Sequence, residues 1–213
     1  MVREIVTTAL LAIGAFGLGA IPFSLLVGWR FLGKDIREYG DGNPGAANVF
    51  HAGGQKTGYL AMLLDVGKGI PFVLLAQAPF YLDSPAMIII AVSAVLGHAF
   101  SPFLGWRGGK GVAITFGVLV AWPQHEPLLA FIAFVVLGFL FIEVDAWTVV
   151  LGAAGALAFT AIIRGGSSET LLLACLLTLL TFKHLDGLRA FPGFHGRLLR
   201  WLHSLVRGTL TII

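Results

Sequence analysis

A polytopic all-α membrane helix bundle of about seven transmembrane helices, N-terminus outside and C-terminus cytoplasmic, is the fold class this sequence predicts. Three observations predict it. Hydrophobic residues fill 57% of the 213 positions and the mean hydropathy is +0.90. Charged residues make up 12%, about half of the roughly 25% usual in soluble domains, too few to cover a folded surface in water. The lysines and arginines, finally, cluster in alternate loops. Composition thus argues against a soluble enzyme, a nucleic-acid-binding domain and a disordered regulator. The 28 glycines suit helices packed in lipid, where small residues let backbones approach.

Apolar stretches lie at 5–26, 59–78, 87–104, 112–122, 128–142, 147–163 and 171–182. The first begins just after Arg3, as a secretory signal would. Pro22 and a long apolar continuation follow without a small-residue cleavage site, so it is a true span. A helix needs ~20 residues to cross a bilayer. The fourth and fifth stretches, with 11 and 15 residues, leave a broken pair or a re-entrant element open beside two full spans. The sixth and seventh close the bundle. Cys175, the single cysteine, lies in the seventh, so neither a disulfide framework nor a thiolate metal cluster is expected. No internal repeat appears, and 1–213 is one domain.

Positive charge sets the orientation. With seven spans, the segments 30–57, 105–111 and the tail from 183 fall on one side and carry eleven of the fourteen lysines and arginines. Arg3 and Arg164 fall on the other, and Lys68 lies inside a span. Basic loops stay cytoplasmic. The pI of about 9.3 is then a sidedness signal that calls for no nucleic acid. In the tail, 193–213, apolar Leu198, Trp201, Leu202, Leu205 and Val206 alternate at helical spacing with Arg197, Arg200, Ser204 and Arg207. That pattern reads as a short amphipathic helix on the anionic leaflet, or as one packed on the bundle.

Three features are too polar for lipid. The run Gly40-Asp41-Gly42-Asn43-Pro44-Gly45-Ala46-Ala47-Asn48-Val49-Phe50-His51 packs three glycines and a proline into six residues. It forbids a regular helix until about Ala46 and offers successive N–H groups. A concave nest for an oxyanion is one reading, and a plain interhelical turn is the other. Next, Gly97-His98 closes an apolar stretch and leads to Gly105-Trp106-Arg107-Gly108-Gly109-Lys110-Gly111. Glycines around a lysine permit close backbone approach to a phosphate held by the ammonium. A plain topological charge is the alternative. The Walker A pattern is absent. Third, Asp65-Val66-Gly67-Lys68-Gly69 puts two ionisable residues at membrane depth. At i,i+3 they share a helix face and can neutralise each other, bracing the adjoining loops. His184, beside Lys183, caps a helix end or helps to hold a phosphate. Nothing in the sequence calls for a metal or a cofactor.

These loops, in this order, resemble the PlsY family of bacterial acyl-phosphate:glycerol-3-phosphate acyltransferases. The likeness runs from Gly19-Ala20-Ile21-Pro22-Phe23 through Asp35-Ile36-Arg37 and Gly42-Asn43-Pro44-Gly45-Ala46-Ala47-Asn48-Val49. It continues through Asp65-Val66-Gly67-Lys68-Gly69 and Gly97-His98 to Gly108-Gly109-Lys110-Gly111-Val112-Ala113, and weakens at Lys183-His184. The resemblance implies a seven-helix, N-outside enzyme of phospholipid biosynthesis in the bacterial inner membrane, its active site facing the cytoplasm. It implies transfer of a fatty acyl group from acyl phosphate to the 1-hydroxyl of glycerol 3-phosphate, giving lysophosphatidate. Implied catalytic residues are Lys110, His184 and Asn43. Implied substrate and phosphate ligands are Asp41, Gly42, Gly45, Asn48, His51, Gly108, Gly109, Gly111 and His98. Its partners would be these two substrates and membrane lipids, with no nucleic acid and no obligate protein partner.

The chain departs from the family pattern at Asp41, where serine is usual, at Ala47 for threonine, at His51 for arginine and at Gly187 for asparagine. Asp41 is expected to oppose a phosphate, and His51 loses a bidentate clamp. Two alternatives follow: a divergent paralogue with another acyl acceptor, and a non-enzymatic membrane binding or transport protein.

Overall fold

The computed structural model describes residues 1–193, so the amphipathic pattern expected beyond Gly193 lies outside them. Every regular element among the described residues is helical. The α-helices are α1 (Val2–Ala20), α2 (Phe23–Val27), α3 (Ala46–His51), α4 (Gln55–Gly67), α5 (Pro71–Gln77), α6 (Ser84–Ala99), α7 (Val112–Ala121), α8 (Glu126–Phe141), α9 (Asp145–Arg164) and α10 (Ser168–Leu188). Among the described residues, five segments are long and apolar enough to cross a membrane: Val2–Leu32, Gln55–Gln77, Ser84–Leu104, Asp145–Arg164 and Ser168–Leu188. Helices α7 and α8 are shorter, at 10 and 16 residues.

Three of the long segments are interrupted, and two of the breaks are instructive. Pro22 has no N–H and pushes Ile21 into an extended conformation, so α1 stops and the chain resumes as α2 and a π-helical turn, Gly28–Leu32. The second break separates α4 from α5 at 68–70, just before Pro71. A break in lipid exposes carbonyls that need donors. Here Ser101 Oγ donates to Ala20 O at 2.6 Å and Lys68 Nζ to Ile21 O at 2.8 Å. Polar residues of other segments thus complete the first segment's backbone.

Packing is close because small residues meet backbone. A Cβ at Gly97 would overlap the Phe16 carbonyl, so α6 lies directly on α1. The main core gathers Ala15, Ile90, Ile114, Leu119, Trp122, Phe131, Leu172 and Leu176 from the central helices. A second, smaller core of Leu25, Val27, Ile36, Val49, Ala52 and Ala61 lies beneath the glycine-rich segment 40–48. Lys34 Nζ donates to Ala52 O at 2.7 Å and ties that region together. This small core positions the site.

The last helix differs from expectation. Its apolar stretch ends at 182, yet α10 continues to Leu188. Hydropathy falls where polar side chains begin, but the i→i−4 ladder does not depend on them. Lys183 and His184 therefore belong to a rigid helix end.

Candidate active site

Two glycine-rich segments and the end of α10 meet at one end of the bundle. Residues 40–45 turn on Gly40 and Gly42, whose φ values of +57° and +75° are natural to glycine. Helix α3 then starts at Ala46, as the residue types predict. Of the two readings of this run, the amide pattern fits the turn better than an open nest. Gly42 N–H donates to Tyr39 O at 3.1 Å, Gly45 N–H to Asn43 O at 2.8 Å and Asn43 N–H to the Asp41 carboxylate at 3.0 Å. Asn48, almost fully buried, donates through Nδ2 to Asp41 Oδ1 at 2.9 Å and to Asn43 O at 2.8 Å. The loop is closed by its own oxygens.

Lys110 reaches this loop from 69 residues away. Its ammonium lies 2.6 Å from Asp41 Oδ2, with the two side chains 34% and 50% exposed. One carboxylate thus collects an ammonium, a backbone N–H and a carboxamide. Burial opposes ionisation of Asp41, but the Lys110 hydrogen bond, the Asn43 N–H and the Asn48 amide outweigh it and hold the carboxyl below its ordinary range. The like-charge problem expected at Asp41 therefore takes another form: a pre-existing ion pair on the lysine.

The glycines beside Lys110 have a structural reason. A Cβ at Gly108 would overlap His98 O, and one at Gly109 would overlap the His98 ring. Gly109 N–H donates to His98 O at 3.0 Å. The pair thus lets the loop lie on the end of α6. Gly111, at φ +89°, starts α7. Lys183 fastens the same loop, donating to Ala99 O at 2.9 Å and Gly108 O at 3.1 Å, with its ammonium 5.2 Å from the Phe100 ring centroid. In the sequence Lys183 is one of the tail's positive charges and stands beside His184, where the family likeness weakens. Its signal was a lysine at the end of an apolar run, within reach of loop carbonyls.

His184 is buried, with Lys110, Asp41 and Lys183 as electrostatic neighbours. Its Nδ1 lies 2.7 Å from Leu180 O. A carbonyl only accepts, so Nδ1 carries a proton and Nε2 is the atom left for other chemistry. His51 is exposed at the end of α3, its ring beside Gly40.

Below the loops lies a buried polar layer. Lys68 Nζ is 2.7 Å from Asp65 Oδ1, with both side chains within 2% of full burial. This is the i,i+3 pair the spacing implies. Ser24 Oγ donates to Asp65 Oδ2, and His98 Nδ1 stands 3.9 Å from Asp65 Oδ1. His98 therefore belongs to this layer, beneath Gly109. The structure brings Asp41, Asn43, Asn48 and Lys110 into direct contact, sets His184 beside them, and separates His98 from them by the glycine loop.

Residues 9–191 match the family model described as glycerol-3-phosphate acyltransferase. A glycerol-3-phosphate acyltransferase of Listeria welshimeri is 31% identical over 199 residues, covering 91% of this chain and 97% of that protein. One from Neisseria meningitidis is 38% identical over 125 residues, covering 57% and 62%. Among solved structures, the glycerol 3-phosphate form of PlsY (YgiH), an integral membrane glycerol 3-phosphate acyltransferase, aligns with a TM-score of 0.77 at 29% identity, covering 85% of this chain and 90% of that one. Its lysophosphatidic acid form aligns at 0.73 and 27%.

Proposed function

The chain belongs to the glycerol-3-phosphate acyltransferase family, and we propose that it transfers a fatty acyl group from acyl phosphate to the 1-hydroxyl of glycerol 3-phosphate. The acceptor oxygen forms the new ester, the bond from acyl carbon to phosphate oxygen breaks, and inorganic phosphate leaves with the proton the hydroxyl gives up. The product is lysophosphatidate, and the protein is a membrane acyltransferase of phospholipid synthesis.

The observation that carries the site reading is the meeting of Lys110 with the 40–48 loop, 2.6 Å apart at Asp41. Acyl phosphate is already activated, so the protein's task is to align the hydroxyl and neutralise the phosphate. In this reading Lys110 is the cation for phosphate, Asn43 and His184 Nε2 face the reacting groups, and Asp41, Gly42, Gly45, Asn48 and His51 line the acceptor side. Gly108, Gly109, Gly111 and His98 hold the lysine loop in place.

Topology completes the proposal. Helices α7 and α8 serve as the fourth and fifth of seven spans, the N-terminus is outside, and the basic loops face the cytoplasm. Support comes from position: both site loops lie in the lysine- and arginine-bearing segments 30–57 and 105–111. The site then opens at the cytoplasmic surface of a bacterial inner membrane, where a soluble phosphate ester and a lipid-borne acyl chain can both reach it.

Purified protein in detergent or lipid, given acyl phosphate and labelled glycerol 3-phosphate, should form labelled lysophosphatidate. Lys110→Ala should lower the rate by about 10²-fold or more with unchanged yield of folded protein. No product under conditions where the Listeria relative turns over would overturn the activity. Equal rates for the variant would overturn the role of Lys110.

A further inference from the structure

The site holds an anion of its own. Three donors of different kinds, the Lys110 ammonium, the Asn43 N–H and the Asn48 carboxamide, converge on the Asp41 carboxylate at 2.6, 3.0 and 2.9 Å. Such a set is what an oxyanion of a phosphate would need, since charge-assisted bonds from an ammonium and fixed amides are the strong ones. The set is also fixed in place. Asn48 is 2% exposed and is held by a second bond to Asn43 O. Lys110 stands on a loop pinned through Gly108 O by Lys183.

We propose that Asp41 is an internal competitor for substrate phosphate: its carboxylate occupies the donors that bind a phosphate monoester, and substrate binds by displacing it. Asp41 is thus a specificity-determining residue, and the inference rests on the reading of this site as a phosphate site. A dianionic phosphate can replace a carboxylate on an ammonium because it brings more charge and more acceptor oxygens. A neutral polyol cannot, and finds Lys110 masked. The exchange therefore admits phosphate-bearing acceptors and keeps uncharged hydroxyl compounds from exploiting the lysine. Its cost is weaker binding of every anion than the three donors alone would give.

Inorganic sulfate is the probe that separates this idea from the acyl-transfer reading, because it binds without reacting. Calorimetric titration of the purified full chain in detergent should give about five- to tenfold tighter sulfate binding for Asp41→Asn than for the unaltered protein, a change of ~1–1.4 kcal/mol. Asp41→Ala should move in the same direction, which guards against an amide that merely keeps the old bonds. Adding Lys110→Met to Asp41→Asn should remove the gain. If acyl transfer is measurable, the KM for glycerol 3-phosphate should fall by a similar factor in Asp41→Asn. Equal or weaker sulfate binding in both Asp41 variants, with normal thermal unfolding, would overturn the proposal. So would a gain that survives Lys110→Met. A chain that binds sulfate as described but makes no lysophosphatidate would leave Asp41 as the competitor and remove the proposed reaction.

Discussion

Removing Lys68 alone should destabilise the protein more than removing Lys68 and Asp65 together. The pair lies at membrane depth with side chains 1% and 2% exposed, so neither charge can turn to water. In Lys68→Met, the apolar stem is kept and Asp65 is left with the Ser24 hydroxyl and His98 at 3.9 Å. The Ile21 carbonyl, freed by the break at Pro22, also loses one of its two donors and keeps only the Phe23 N–H. Breaking a buried pair from one side costs about 3–5 kcal/mol. At about 2–4 °C per kcal/mol for a chain of this size, the unfolding temperature should drop by roughly 6–20 °C. Asp65→Asn should cost less, because Lys68 keeps the Ile21 carbonyl at 2.8 Å. The double variant, with no buried charge, should recover about half of the Lys68→Met loss or more. A thiol-reactive dye suits the measurement, since Cys175 is the only cysteine and sits partly buried in α10. Heating is run in detergent at one scan rate for all variants. A Lys68→Met shift of under about 2 °C, or a double variant that loses the sum of both singles, would refute the reasoning.

Two further outcomes follow from the site. Lys183→Met frees the Gly108 and Ala99 carbonyls from their common donor, so kcat should fall by about tenfold while KM and unfolding temperature change little; an unchanged kcat would mean the loop holds its place without the lysine. The Asp41 carboxyl is held below its ordinary range, so it stays ionised and paired from pH 8 down to 5. Its contribution to stability is present above the unfolded carboxyl value of ~3.9 and is lost only as pH falls through the lower folded one. The sulfate affinity ratio of Asp41→Asn to unaltered protein should therefore stay above one between pH 5 and 8. His184 on α10, whose charge is coupled to Asp41, makes the ratio drift without bringing it to one, and Lys183 is common to both proteins. A ratio that collapses toward one by pH 5 would contradict the pairing.

Particular elements show how far the residues speak for themselves. Both glycine loops, the helix start at Ala46 and the Asp65–Lys68 pair were legible, because each depends on spacing within a few residues. The first and second spans were read as continuous. Pro22 was visible, but the break it makes is met from elsewhere, by Ser101 at the Ala20 carbonyl and by Lys68 at the Ile21 carbonyl. Gly108 and Gly109 read as a close approach of backbone to a neighbour, and on their Cβ side that neighbour is the end of α6. A glycine announces close approach and is silent on what approaches.

Along the chain alone, hydropathy and the placement of lysine and arginine determined an all-helical membrane protein. That follows because lipid leaves backbone groups no water to bond, a demand that helix meets residue by residue except where a span is broken. Tertiary structure alone decided that Asp41 sits on Lys110, that Lys183 pins the lysine's loop, and that His98 lies under the glycines. Those contacts join residues tens of positions apart, and hydrogen bonds and ion pairs depend on distance and direction in space, which no local pattern carries.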